Sequence, residues 1–315
     1  PIRTTYHNTH ALLFDNESLW IGTFSRGIDI YNTRTKSLVN YRNRTTDENT
    51  LNDDCIFSLY KTKKGEIYVG TPVGLNKYNK EDNSFVRIPQ ANGFIYDMKE
   101  DGYGNLWVAT YGLGALRLDM NNNKWINYDT IQSRNNPIVG SKLTGIYIDS
   151  QKRVIFSSEG RGIFIYDYKT DNFKNISEMD GLPNNVIYGI LDDPYGNLWV
   201  SSNKGLICFN ISNPRDFKLY NKADGLQSNQ FNYKSSYKTR DGKFYFGGIN
   251  GFSSFYPQAL SSIQNKHVPS VEITAFIAPL SLMYDVNARV STSEMATKLC
   301  FSKYSKRLLS ELGLE

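Results

Sequence analysis

A turn followed by a short aromatic strand recurs six times in this chain, and no other feature narrows the possible folds as much. Residues 101–110 read DGYGNLWVAT and residues 193–202 read DPYGNLWVSS, with a shorter copy, NESLWIGT, at 16–23. KGEIYVGT at 64–71 and DGKFYFGG at 241–248 put tyrosine in place of tryptophan, and SQKRVIFSS at 150–158 is the most worn copy. Turn residues followed by β-branched and aromatic residues are a strand signal. The anchoring position falls at Trp20, Tyr68, Trp107, Ile155, Trp199 and Tyr245. Their mean spacing of about 45 residues is that of β-propeller blades, and segments with helical periodicity are missing between them.

The fifth copy parses most cleanly. Val186–Asp192, Leu198–Ser201, Leu206–Phe209 and Phe217–Tyr220 are four short strands joined by turns, the unit of a propeller blade. The first copy repeats the unit with 11–14, 19–22, 28–31 and 38–41, and the third with 94–99, 106–109, 115–118 and 125–128. The fold class is therefore all-β: a propeller of four-stranded antiparallel blades, six of them visible, over residues 1–258. A second strand that reads as continuous Leu-Trp-Val, without alternation, is expected to be covered on both faces by neighbouring blades. The anchor aromatics then act in blade-to-blade packing rather than as platforms for a ligand.

The connections between blades form a second repeated family, DGLPNN at 180–185 and DGLQSN at 224–229, with a longer form, DENTLNDD, at 47–54. In a propeller these connections share one face with the turns between the second and third strands. That face collects the variable residues and is where a ligand should be sought. It carries Arg26, Tyr111, Glu159, Arg161, Asn203, Lys204, Asn229 and Asn250. Amides, cations and an aromatic ring supply the hydrogen bonds and stacking that an oligosaccharide or an acidic sugar needs. For any one of them, taken singly, an ordinary solvated turn residue is the simpler reading.

After Pro257 the repeat stops, and residues 259–315 form a C-terminal extension. Residues 267–276 read as one further strand. Ser291 and Glu294 make a capping box ahead of Met295, Leu299, Tyr304, Leu308 and Leu312, which could line one face of a helix.

Composition removes several function classes. The formal charge of +5 is mild and scattered, so nucleic acid is not an expected partner. The three cysteines, Cys55, Cys208 and Cys300, lie far apart with no metal-ligand spacing, and small buried residues are the simpler reading. No metal or cofactor is expected. The Asp-x-x-Gly-Asn turns resemble fragments of calcium loops, but turn chemistry already accounts for them. No nucleophile, zinc or phosphate-loop motif occurs, and His7, His10 and His267 stand at the ends of the repeat region. No catalytic residue is assigned. A glycosidase would need two convergent carboxylates, for which Glu159 with Asp53 or Asp54 are the candidates. Glu159 is as well explained by an ion pair with Arg161. A lyase would need a histidine on the loop face, where His7 is the candidate.

The GNLWVAT-type strands, the linkers DGLPNN and DGLQSNQFN (224–232), and GGINGF (247–252) followed by FYP (255–257) together resemble the two-component regulator propeller, over about residues 8–258. The resemblance implies the periplasmic sensor region of a bacterial hybrid two-component system. Its ligand would be a carbohydrate fragment, and occupancy would be relayed through propeller and dimer geometry to a histidine kinase. It also implies seven blades, then a triple-tyrosine β-domain, a membrane helix and the kinase. This chain shows six repeats, so the missing blade is expected upstream of Pro1. The segment after Pro257 would be the start of the triple-tyrosine domain, and the membrane would be reached only through a downstream segment. A homodimer is a possible assembly, and the alternatives are a polysaccharide-acting enzyme and a protein-interaction scaffold.

Overall fold

The structure is a computed structural model, and it describes residues 4–6, 8–129 and 136–262. All of them lie in one compact unit or at its edge, Pro1–Ile263. The strand expected at 267–276, the helix expected at 291–315, His7, His267 and Cys300 fall outside the described residues.

Six antiparallel sheets follow one another along the chain. The first is β1 (Thr9–Asp15), β2 (Ser18–Thr23), β3 (Ile28–Asn32) and β4 (Leu38–Tyr41); the second is β5 (Ser58–Lys61), β6 (Ile67–Thr71), β7 (Gly74–Asn79) and β8 (Ser84–Asn92). The third is β9 (Ile95–Glu100), β10 (Asn105–Thr110), β11 (Ala115–Asp119) and β12 (Lys124–Asn127); the fourth is β13 (Leu143–Ile148), β14 (Val154–Ser158), β15 (Ile163–Asp167) and β16 (Asn172–Ile176). β17 (Ile187–Asp192), β18 (Asn197–Ser202), β19 (Gly205–Asn210) and β20 (Asn213–Tyr220) make the fifth. The sixth has three strands, β21 (Phe231–Lys238), β22 (Phe244–Gly248) and β23 (Gly251–Phe255), with a short helix α1 (Pro257–Ser262) after them. No described helix is long and apolar enough to cross a membrane.

Each sheet packs face to face on the next, and the first strands β1, β5, β9, β13, β17 and β21 contact one another in sequence around a central channel. This is a β-propeller. Trp107 is fully buried against Phe156, Tyr166 and Phe173 of the fourth blade, and Trp199 against Phe244 and Phe255 of the sixth. Ile155 is also fully buried, and Trp20 and Tyr68 nearly so.

The repeated Asp-x-x-x-Asn turn has a structural cause. The Asp101 carboxylate accepts hydrogen bonds from the backbone of Tyr103 and Asn105, the Asn105 amide at 2.8 Å, the Trp107 indole at 2.8 Å and the Tyr168 hydroxyl at 2.6 Å. Asp193 repeats the set with Tyr195, Asn197 and Trp199. One carboxylate thus closes the turn and fixes the rotamer of the tryptophan that packs on the next blade.

Tyr245 departs from the expectation. It is only partly buried, while its neighbours Phe244 and Phe246 are fully buried, so β22 alternates where β6, β10, β14 and β18 are buried almost throughout. The physical reason is that no described blade covers its outer face. Tyr237, Phe252 and Tyr245 share that face, and the first two are 65% and 66% exposed. The matching face of the first blade is equally bare, with Leu12 at 66% and Phe14 at 61%. Among the described residues the ring is open between its first and sixth blades.

Candidate functional site

The loop face is assembled as the two families of connections require. Gly27 N–H donates to Asp54 C=O, Gly112 and Gly114 to Ser141, and Gly160 and Gly162 to Asn185, so in the first, third and fourth blades the turn between second and third strands is stitched to the following linker. At Gly162, φ is +73° and an added Cβ would lie 2.2 Å from the Ile176 carbonyl oxygen, so the chain there admits no side chain.

The first strands share a further device. The pairing of β1 with β2 skips His10, that of β9 with β10 skips Tyr96, that of β13 with β14 skips Thr144, and that of β17 with β18 skips Tyr188. A one-residue bulge re-aims a side chain, and here it occurs at the loop-face end of the strands that line the channel. In the sixth blade the interruption is longer, from Phe231 to Ser236, and includes Tyr233 and Lys234. Phe57, one residue ahead of β5, occupies the corresponding place in the second blade.

These positions form a continuous aromatic rim. His10 lies against Phe24 and Phe57, Phe57 meets Phe94 at 4.5 Å, and Phe94 meets Tyr111 at 5.6 Å. Tyr96 stacks on Tyr111 at 6.0 Å, Tyr233 stands edge-on to Tyr96 at 5.9 Å, and Tyr188 meets Tyr233 at 4.6 Å. At the centre is Glu159, whose Oε2 accepts from the Tyr111 hydroxyl at 2.8 Å and the Tyr233 hydroxyl at 2.9 Å. Its Oε1 has no hydrogen-bond partner among the described residues. Lys142 Nζ lies 5.2 Å above the Tyr111 ring and Lys234 Nζ 4.9 Å above Tyr96.

The electrostatics follow from burial beside this carboxylate. Burial, then the neighbouring Tyr111 and Glu159 charges, push the Tyr96 phenol up to about 12. Burial and the bonds to Glu159 raise Tyr111 and Tyr233 as well, so all three rings stay neutral and their hydroxyls remain donors. Burial lowers the Lys234 ammonium from the usual lysine value, opposed by Asp97. Burial and then the charge of Lys234 lower His10, which favours the neutral imidazole. Beneath the rim, and reaching it through Phe57, Tyr188 and Lys234, is a cavity of about 970 Å³.

Of the expected site residues, Tyr111 and Glu159 are joined directly, and Asn203 is linked to them by accepting the Tyr188 hydroxyl. Arg161 does not pair with Glu159. Its guanidinium donates to Val139 C=O at 3.0 Å and Ser141 Oγ at 3.1 Å, across the linker, and leaves the carboxylate without a cation at ion-pairing distance among the described residues. Arg26 and Lys204 are exposed, and their backbone N–H groups close turns on Thr23 and Ser202. Asn229 accepts from Lys222 N–H, and Asn250 donates its backbone N–H to Gln227; both are exposed. Asp54 is engaged by Arg42 in an ion pair at 2.5 Å. The half-buried Cys55 and Cys208 thiols are pushed by burial up to about 11 and about 12, which suits packing and not reactivity. Tyr96, Tyr188, Tyr233 and Lys234 were not anticipated.

The fold and this rim define a propeller with a ligand-sized mouth at the ends of its first strands. Residues 89–112 and 181–204, in the third and fifth blades, match the two component regulator propeller family. The chain is 27% identical over 290 residues to Histidine kinase P4 of Formosa agariphila, an alignment that takes in 85% of this chain and 21% of the kinase. It therefore spans about a fifth of the length of that curated relative. Among solved structures, the extracellular domain of a hybrid two component system from B. thetaiotaomicron superposes with a TM-score of 0.60 at 14% identity, over 77% of this chain and 32% of that one. Virginiamycin B lyase from Staphylococcus aureus superposes with a TM-score of 0.57 at 13% identity, over 80% and 85%. At such identities both likenesses speak for the fold alone.

Proposed function

We propose that this chain is the ligand-sensing propeller of a hybrid two-component system, lying outside the cytoplasmic membrane, and that its ligand is an oligosaccharide or polysaccharide fragment. The observation that carries the reading is the Tyr111–Glu159–Tyr233 arrangement within the aromatic rim. Sugar rings present apolar faces and a hydroxyl periphery. Tyr96 and Tyr111 offer stacking surface, and Glu159 offers an acceptor oxygen that no described residue uses. The repeat family and the length of Histidine kinase P4 support a sensing module within a longer signalling protein, which would act as part of a homodimer.

A thermal-shift screen of the purified chain against neutral and acidic oligosaccharides, with product analysis, tests this. A ligand of the native state at 100 times its Kd adds about 2.7 kcal/mol of apparent stability. Glu159→Gln and Tyr111→Ala should each abolish the shift while leaving the unliganded melting temperature within a few degrees. Turnover of the oligosaccharide would replace the sensor reading with an enzymatic one. The absence of any shift across the panel would remove the carbohydrate assignment.

A further inference from the structure

The last blade is held differently from the others. Among the described residues its outer face is bare, and face-to-face packing reaches it from the fifth blade, through Trp199 on Phe244 and Phe255. Yet its first strand breaks register for four residues, and two of those residues cross the channel. The Tyr233 hydroxyl reaches Glu159 of the fourth blade. The Lys234 ammonium donates to the backbone carbonyl of Phe57 at 3.1 Å in the second blade and to that of Tyr96 in the third. It also stacks on the Tyr96 ring and stands 3.9 Å from Asp97.

This arrangement is costly to build. Lys234 has φ of +56°, a left-handed conformation that non-glycine residues rarely adopt. Its side chain is 27% exposed, so much of a charged group is withdrawn from water on neutral carbonyls and a carboxylate beyond hydrogen-bond range. A solvated lysine in an unbroken strand would avoid both costs. What the strain achieves is a bridge from the last described blade to the opposite side of the channel.

We propose that residues 232–235 are a cross-channel tie that couples the binding mouth to the position of the last blade, with Lys234 as its positioning residue. The proposal rests on the sensor reading and supplies the mechanical step that reading needs. The groups that receive the tie, Tyr96 and Glu159, are the ones a ligand would touch. A ligand seated on them makes its full set of contacts only when Tyr233 and Lys234 are docked, and so shifts the last blade toward the tied position. Among the described residues its outer face is uncovered, and that blade is the one whose displacement disturbs least of their packing.

Hydrogen exchange read by mass spectrometry on the ligand-free protein tests the tie independently of any glycan. Local openings report the stability of the element they belong to. Lys234→Met should raise exchange roughly tenfold in peptides covering 231–255 and leave those covering 105–119 unchanged. Lys234→Arg, which keeps the donors, should recover a large part of the protection. Tyr233→Phe removes one hydroxyl without touching the core and should give a smaller rise confined to the same peptides. Unchanged exchange in 231–255, or a uniform rise through all blades, would overturn the proposal. A failed glycan screen with a positive exchange result removes the sugar and leaves the tie. The reverse pair of results removes the tie alone.

Discussion

Asp101 shows how one residue writes a repeat. It is 1% exposed, and burial by itself would raise its pKa. The Tyr168 hydroxyl and the amide and indole donors of Asn105 and Trp107 outweigh burial, and the carboxyl ends below its ordinary value. Because the folded value lies below the unfolded one, near 3.9, the stabilisation is complete above that pH and is lost as pH falls through the folded value. Asp101→Asn should therefore flatten the acid limb of stability below about pH 4, seen in urea midpoints measured across pH. At neutral pH the same variant should be less stable, because an amide cannot accept from all of these donors. Trp107→Ala leaves a cavity among Phe156, Tyr166 and Phe173 and should cost about 3–5 kcal/mol. If Trp107 were instead a ligand platform, its loss would spare stability and abolish binding.

At the scale of elements, the turns were legible from sequence and the bulges were not. Asp, Gly and Asn at fixed offsets announce the turn between first and second strands, and the linkers announce the loop face, because turn geometry demands particular residue types. That was enough to place Tyr111 and Glu159 on one face. A bulge leaves no such mark, since an extra residue in a strand has the composition of a strand. Tyr96 and Tyr188 therefore read as ordinary positions in β9 and β17. Aligning the copies from the anchor backwards would have exposed them, as the column His10, Phe57, Tyr96, Thr144 and Tyr188 varies where the anchors repeat. Arg161 is an instructive error of the same kind. Adjacency to Glu159 suggested an ion pair, but the intervening Gly160 at φ of +98° turns the two side chains apart. Arg161→Ala should accordingly leave any ligand affinity carried by Glu159 within about twofold while weakening the linker at Val139 and Ser141. A binding titration beside a melting curve separates the two effects.

At the scale of the molecule, the continuous burial of second strands holds only where a blade has two neighbours, and β22 marks where that condition ends. The pattern there was read as a sixth equivalent anchor because Tyr245 sits at the repeat position. Its neighbours carry the packing instead, and Tyr245 meets Phe252 of its own sheet at 5.7 Å. This predicts a sharp asymmetry between positions that the repeat treats as equal. Trp199→Ala should cost about 3–5 kcal/mol, since the indole is closed in by the sixth blade. Tyr237→Ser and Phe252→Ser should each stay within about 0.5 kcal/mol, as for exposed positions generally. Those two serine variants should also raise the solubility of the chain, because each removes an exposed aromatic side chain. Denaturant midpoints for the three variants decide the matter. Losses at Tyr237 or Phe252 comparable to that at Trp199 would mean that the outer face of the last blade is packed in solution, and that the ring is closed there by a second molecule or by residues outside those described.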